Sequence, residues 1–147
     1  MADVGGAEGW ARAVYEVAIR LYNAGEVADF AGMHAEHAVL VTPAGVRRGR
    51  DAIGEYWRRQ REGFPDLHLP LDLVVAHGDV VMSEWTWVGT NTGPLPLRAG
   101  TRAAATGRRV ELRGMEVTRI REGQIVEYRM YWDGLELAAQ LGLRGGA

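Results

Sequence analysis

Between Val110 and Asp133 the chain reads VELRGMEVTRIREGQIVEYRMYWD, and this stretch narrows the possible folds more than any other. Charged and apolar residues alternate through both halves, which is the period of a pleated strand with two different faces. Glu122-Gly123 forms a tight turn between them. On the first strand Val110, Leu112, Gly114, Glu116, Thr118 and Ile120 share a face. On the second, Tyr128, Met130 and Trp132 share a face, with Glu127, Arg129, Tyr131 and Asp133 opposite. Glu116 thus sits on a mostly apolar face, against a strand carrying an aromatic and thioether row. A lone buried charge is expensive, so this carboxylate is paired, neutral or functional.

The remaining chain reads as wall and lid around that face. Trp10, Val14, Val17, Ala18 and Leu21 recur at helical spacing, so a helix runs from about Gly9 to Asn23 and stops at Gly25. A short helix follows over Val27–Met33, then a β-type run over Ala38–Thr42 that ends in the Pro43-Ala44-Gly45 turn. A third helix spans Asp51 to about Arg61, with Asp51 as N-cap. Leu67–Val75 is an edge or bulged strand because Pro70 interrupts it. His77-Gly78-Asp79 turns the chain into a strand over Val80–Gly89, whose faces are Val81, Ser83, Trp85, Trp87 and Val80, Met82, Glu84, Thr86, Val88. Residues 90–108 read as a long mobile loop, and Asp133 opens a short helix through Leu141. Helices come first and a strand meander follows, which is an α+β pattern.

At 147 residues the chain is expected to form one domain over 1–147, with 1–8 and 143–147 as flexible ends. The net charge of -2 makes no electrostatic case for nucleic acid or an anionic membrane. With no Cys, thiolate nucleophiles, disulfides and Cys-based metal sites are excluded. No metal ligand set, phosphate loop, nucleotide fingerprint or nucleophile elbow is present, so neither metal nor cofactor is expected. The N-terminus lacks a basic region followed by an apolar core, and no apolar run spans a bilayer, so the expected location is the cytoplasm.

Several features together resemble a known family. They are Asn23-Ala24-Gly25; Pro43-Ala44-Gly45 with Arg48-Gly49-Arg50-Asp51-Ala52-Ile53; Phe64-Pro65-Asp66; His77-Gly78-Asp79; Trp87-Val88-Gly89-Thr90; Thr106-Gly107-Arg108; Gly123-Gln124-Ile125-Val126-Glu127; and Asp133 through Gly142. The chain resembles a SnoaL-like polyketide cyclase over about residues 9–143, within the superfamily of ketosteroid isomerase, scytalone dehydratase and limonene epoxide hydrolase. The resemblance implies a curved mixed sheet wrapped around N-terminal helices, a cone with a deep apolar pocket, and a homodimer formed across the outer sheet face.

The resemblance also implies where catalytic groups belong. The acid or base that cyclases and epoxide hydrolases carry on the last strand falls at Met130, which cannot exchange a proton. The base that ketosteroid isomerases carry before the Pro-x-Gly turn falls at Thr42, and their phenol donor on the first helix at Ala18. Their second acid falls at Glu116, which alternation reached independently. Glu116 is a candidate general acid or base, its pKa raised by burial, or else a carboxylate satisfied by a pocket Thr, Tyr or His. Tyr128 is a candidate hydroxyl beside it or a wall aromatic. His34 is a candidate proton shuttle or a partly exposed helix-end residue. Trp57, Trp85, Trp87 and Trp132 stand at positions that resemble pocket wall, with Met130 and Tyr15 or Tyr22 beside them.

The expected function is a cofactor-independent cyclase or isomerase, an enzyme that folds a hydrophobic polyketide-type intermediate into a reactive conformer and moves a proton. Dehydration, isomerisation, ring closure and cycloaddition all fit. The alternatives are a non-catalytic binding protein for a hydrophobic small molecule and a protein whose outer sheet face assembles with a partner.

Overall fold

The computed structural model describes residues 4–96 and 102–143. The chain runs α1 (Val4–Ala24), α2 (Val27–Gly32), β1 (His34–Thr42), β2 (Gly45–Arg48), α3 (Arg50–Gly63), β3 (Leu71–His77), β4 (Val80–Thr90), β5 (Leu95–Pro96), β6 (Arg102–Ala103), β7 (Arg109–Arg121), β8 (Gln124–Trp132) and α4 (Gly134–Gln140). Among the described residues, six strands form one sheet in the order β2-β1-β8-β7-β4-β3, and β5 pairs with β6 as a separate ribbon. The β1–β8 pairing is parallel and the others in that sheet are antiparallel, so the fold is α+β with a mixed sheet. No helix among the described residues is long and apolar enough to cross a membrane.

The β7–β8 hairpin forms where alternation places it. Glu122 (φ 50°) and Gly123 (φ 77°) both have positive φ, the two-residue turn that matches the twist of paired strands. Val110, Leu112, Glu116, Thr118 and Ile120 are buried on β7, and Tyr128 and Met130 on β8. One irregularity escapes strict alternation. Arg119 pairs with Glu127 but Ile120 with Ile125, so Val126 is an extra residue, a bulge that returns Ile125 to the buried face.

Cross-strand registers give the inner face three rows: Trp85–Gly114–Trp132, Ser83–Glu116–Met130 and Val81–Thr118–Tyr128. In the first, the Trp85 indole lies over Gly114. A Cβ there would stand 2.6 Å from both Trp85 Cζ3 and the Tyr131 carbonyl oxygen. Neither ring nor backbone can yield cheaply, so Gly114→Ala is expected to cost about 1–3 kcal/mol. A lowered urea midpoint checks this; an unchanged midpoint would mean that Trp85 packs elsewhere.

Helix α1 buries Ala11, Tyr15, Ala18, Ile19 and Tyr22 on one stripe and lies against β3, β4 and β7. It ends in a Schellman motif: Gly25 N–H donates to the Tyr22 carbonyl (3.1 Å) and Glu26 N–H to that of Leu21 (3.0 Å). Arg61 of α3 donates to the Tyr22 and Leu67 carbonyls, which ties the two helices together. The Asn23 side chain exchanges two hydrogen bonds with the Leu69 backbone, holding the helix end to the segment before β3.

Several sequence expectations are corrected. Helix α1 begins at Val4, so residues 4–8 are helical. β1 starts at His34, four residues before the apolar run, and β2 pairs with it as a short edge strand. The residue capping α3 is Gly49, with Asp51 inside the first turn. β3 begins only after Pro70, which lacks an N–H; His68 bridges Val88 separately. Asp133 does cap α4, accepting from the N–H groups of Leu135 (2.9 Å) and Glu136 (3.1 Å). Within 90–108, the buried Asn91 organises the backbone: its side chain bonds the Gly63 and Gly93 carbonyls and the N–H of Thr106. The expected flexible ends and loop also cover 1–3, 97–101 and 144–147, which lie outside the described residues.

Candidate active site

Glu116 is 4% exposed on the inner face of β7, between Ser83 of β4 and Met130 of β8. Tyr15 reaches it from α1: its hydroxyl donates to Glu116 Oε1 and also shares a 2.6 Å hydrogen bond with Ser83 Oγ. Burial pushes the Glu116 carboxyl up to about 7, and the hydrogen bonds from Tyr15 and Ser83 keep it from rising further. Burial and the adjacent carboxylate push the Tyr15 hydroxyl well above the usual phenol range. Near neutral pH the carboxyl therefore populates both protonation states while the phenol remains a donor, the condition an acid–base group needs.

Two cavities meet near this group. The inner one, about 20 Å³, is lined by Tyr15, Tyr22, Glu116, Thr118 and Tyr128 among others. It is large enough for one water or one substrate oxygen. The outer one, about 920 Å³, is walled by Trp57, Trp85, Trp87, Trp132, Phe64 and Leu112. Trp57 and Met130 line both and form the partition. Trp57 is fixed by a 2.6 Å bond from its Nε1–H to the Tyr128 hydroxyl and by edge-to-face packing on Tyr22. Met130 is unbranched with three rotatable bonds, so it is the more adaptable half of the partition.

The structure thus brings Glu116, Tyr22 and Tyr128 to the inner chamber, and Trp57, Trp85, Trp87, Met130 and Trp132 to the outer. Tyr22 accepts a 3.1 Å bond from Trp87 Nε1–H. Tyr128 bonds Trp57 rather than Glu116. Thr42 lines neither cavity; its hydroxyl bonds Ala44 N–H (3.1 Å) and the Gly45 carbonyl (3.3 Å) within the turn.

His34 also lines neither. It is fully buried at the start of β1, which corrects the expectation of a partly exposed helix-end residue. Its Nδ1 faces the Phe30 (3.0 Å) and Ala31 (3.2 Å) carbonyls, so that nitrogen carries the proton. Burial holds its pKa down to about 4, so the ring is neutral at pH 7.

In the sequence alone Tyr15 stands only among the alternative wall residues and Ser83 carries no role. Ser83 was findable, because it lies on the inward face of β4. Tyr15 is three residues from Ala18, so it occupies the same helix stripe one turn earlier. Only the depth at which α1 sits decides which of the two meets Glu116.

Residues 12–141 match the family model for SnoaL-like polyketide cyclases. The chain belongs to that family. No curated protein matches it. Among solved structures, IdmH of Streptomyces antibioticus, a candidate polyketide cyclase, is 25% identical with a TM-score of 0.72, over 90% of this chain and 99% of that one. A candidate SnoaL-like polyketide cyclase of Jannaschia sp. CCS1 is 19% identical with a TM-score of 0.77, over 95% and 96%. A protein of Catenulispora acidiphila with a ketosteroid isomerase-like fold, in complex with trimethylamine, is 18% identical with a TM-score of 0.72, over 89% and 93%. The last two share the fold. SnoaL-like membership supports a cyclase- or isomerase-type role for this chain without specifying reaction or substrate.

Proposed function

We propose that the protein is a cofactor-independent cyclase or isomerase acting on a hydrophobic, polyketide-type intermediate. The observation that carries this reading is a buried carboxyl with a pKa near 7, held by Tyr15 and Ser83, behind an aromatic-walled chamber of about 920 Å³. The chamber folds the substrate into a reactive conformer, and holding reacting atoms in line can contribute about 7–11 kcal/mol to a reaction. The reacting oxygen or carbon passes Met130 into the inner chamber, where Glu116 moves the proton. Tyr128 positions Trp57, and His34, neutral and away from both chambers, supports the wall. The substrate is a small molecule, with no nucleic acid or membrane in the reaction.

A second reading is favoured by the partition itself. Met130 and Trp57 stand between the outer chamber and Glu116, as they would in a protein that only holds its ligand. Native mass spectrometry of the purified protein, followed by incubation of whatever is bound, separates the two. Turnover of the bound molecule supports the enzyme. Its release unchanged, with no conversion of related intermediates, supports the binding protein.

The outer sheet face is the proposed dimer surface. Val75, Met82 and Val117 form one cross-strand row, and Leu73, Glu84, Met115 and Tyr131 the next. Leu73, Val75, Met82 and Tyr131 are about half exposed. Exposed large apolar side chains clustered on one sheet face, with Glu84 and Arg129 among them, mark an interaction surface. Met82→Lys is expected to convert a dimer to a monomer in sedimentation equilibrium, with the far-UV spectrum unchanged; a wild-type protein that is already monomeric would sink the assignment.

A further inference from the structure

The outer chamber is not uniformly apolar. Its polar lining residues Arg47, Glu55, Arg59 and Gln60 all come from β2 and α3, whereas the walls from β4, β7 and β8 are Trp85, Trp87, Leu112, Met130 and Trp132. Two of these polar groups are already committed. Glu55 accepts from Arg58 (2.7 and 2.9 Å) and from Arg59 (2.7 Å), and these guanidinium groups hold its carboxyl down at about 2. Arg59 is neutralised by the same contact.

Arg47 differs. Among the described residues its guanidinium pairs with no carboxylate; it donates only to the Val46 carbonyl, at 3.2 Å. It is nevertheless held in place, 4.9 Å from the centroid of the Tyr56 ring, itself a lining residue. Gly45 makes room for it, since a Cβ there would lie 3.2 Å from Arg47 Nη1. A cation fixed by stacking, with most of its five donors uncommitted, at the polar end of an apolar chamber is built to receive a planar anion.

We propose that Arg47 binds the carboxylate of the chamber's occupant, so that the ligand is a hydrophobic acid lying with its apolar body toward Trp85, Trp87 and Met130. This rests on the reading of the outer chamber as the substrate site and adds its ligand class and orientation. The acid end is anchored at Arg47, and the apolar body runs along the tryptophan wall toward the partition in front of Glu116.

The four tryptophans in the chamber wall report occupancy by fluorescence. Dodecanoate, dodecanol and dodecyl phosphate are titrated at pH 8 and low salt, below their micelle concentrations. Dodecanoate is expected to bind at least about tenfold more tightly than dodecanol, with the preference fading as salt is raised. Arg47→Gln removes the preference and leaves dodecanol affinity as it was, which also controls for folding. Arg47→Lys keeps only part of it, because an ammonium lacks the fork. Equal binding of acid and alcohol by the wild type, or a preference that survives Arg47→Gln, overturns the assignment to Arg47 but leaves the chamber as a ligand site. Tight binding of dodecyl phosphate with none of dodecanoate overturns it in favour of a phosphorylated carrier arm. Failure of all three probes overturns both this inference and the substrate-site reading.

Discussion

Turnover of the cognate substrate falls by about 100- to 10,000-fold when Glu116 is replaced by glutamine, the range that loss of a positioned acid–base group produces. The amide is nearly the same shape and its oxygen can still accept from Tyr15, itself bonded to Ser83, so the chamber walls stay in place. Ligand affinity, read from tryptophan fluorescence, therefore changes by no more than a few-fold, and the loss lies in the chemical step. The pH profile carries the second half of the result. With the carboxyl near 7, activity falls above that pH if Glu116 acts as an acid and below it if it acts as a base. The Tyr15 hydrogen bond lowers this pKa, so Tyr15→Phe moves the midpoint upward in either case. Wild-type turnover by the Glu116→Gln variant would rule out proton transfer by this group.

Stability against pH is the second large effect, and two buried groups produce it with opposite signs. The folded protein keeps the Glu116 proton up to about pH 7, whereas the unfolded chain gives it up near 4.5. Across that window the unfolded state binds fewer protons, so stability falls as pH rises, by about 3 kcal/mol in all. His34 does the reverse. The unfolded chain protonates it near 6.5 and the folded protein only near 4, so its contribution rises with pH over that range, again by about 3 kcal/mol. Between about 4.5 and 6.5 the two slopes cancel. The wild type is therefore expected to show a nearly flat urea midpoint there, apart from shared contributions of other groups. Glu116→Gln unmasks the His34 slope, and its stability relative to the wild type climbs steadily from pH 4.5 to 7. A difference between variant and wild type that does not change with pH would mean that Glu116 is charged in the folded state, with water or another group at its side.

The hairpin at the centre of the site is legible from alternation because a strand has only two faces. Once Val110, Leu112 and Ile120 are assigned inward, Glu116 must follow, and so must Tyr128 and Met130 on the partner strand. The Val126 bulge was not legible, since nothing in Ile125-Val126-Glu127 distinguishes an inserted residue from an alternating one. The aromatic wall was legible in composition but its division was not. Whether a tryptophan faces the inner or the outer chamber depends on how far the sheet curls, and Trp85 can lie over its neighbour only because Gly114 has no side chain. Arg47 gave no signal in the chain, because an arginine on a short edge strand reads as an ordinary surface cation.

The sequence by itself therefore determined the family, the α+β class, the two faces of β7 and β8, and the presence of one acid on the buried face. These follow from local periodicity and from short motifs, which depend on neighbours in the chain. Tertiary structure alone decided which groups meet that acid. Tyr15 arrives from a helix 101 residues away in sequence, and Tyr128, two residues from Met130 on the same face, turns its hydroxyl to Trp57. The helix stripe offers Tyr15 and Ala18 equally, one turn apart. The packing of α1 against β4 and β7 sets its depth, and that depth gives Glu116 a phenol.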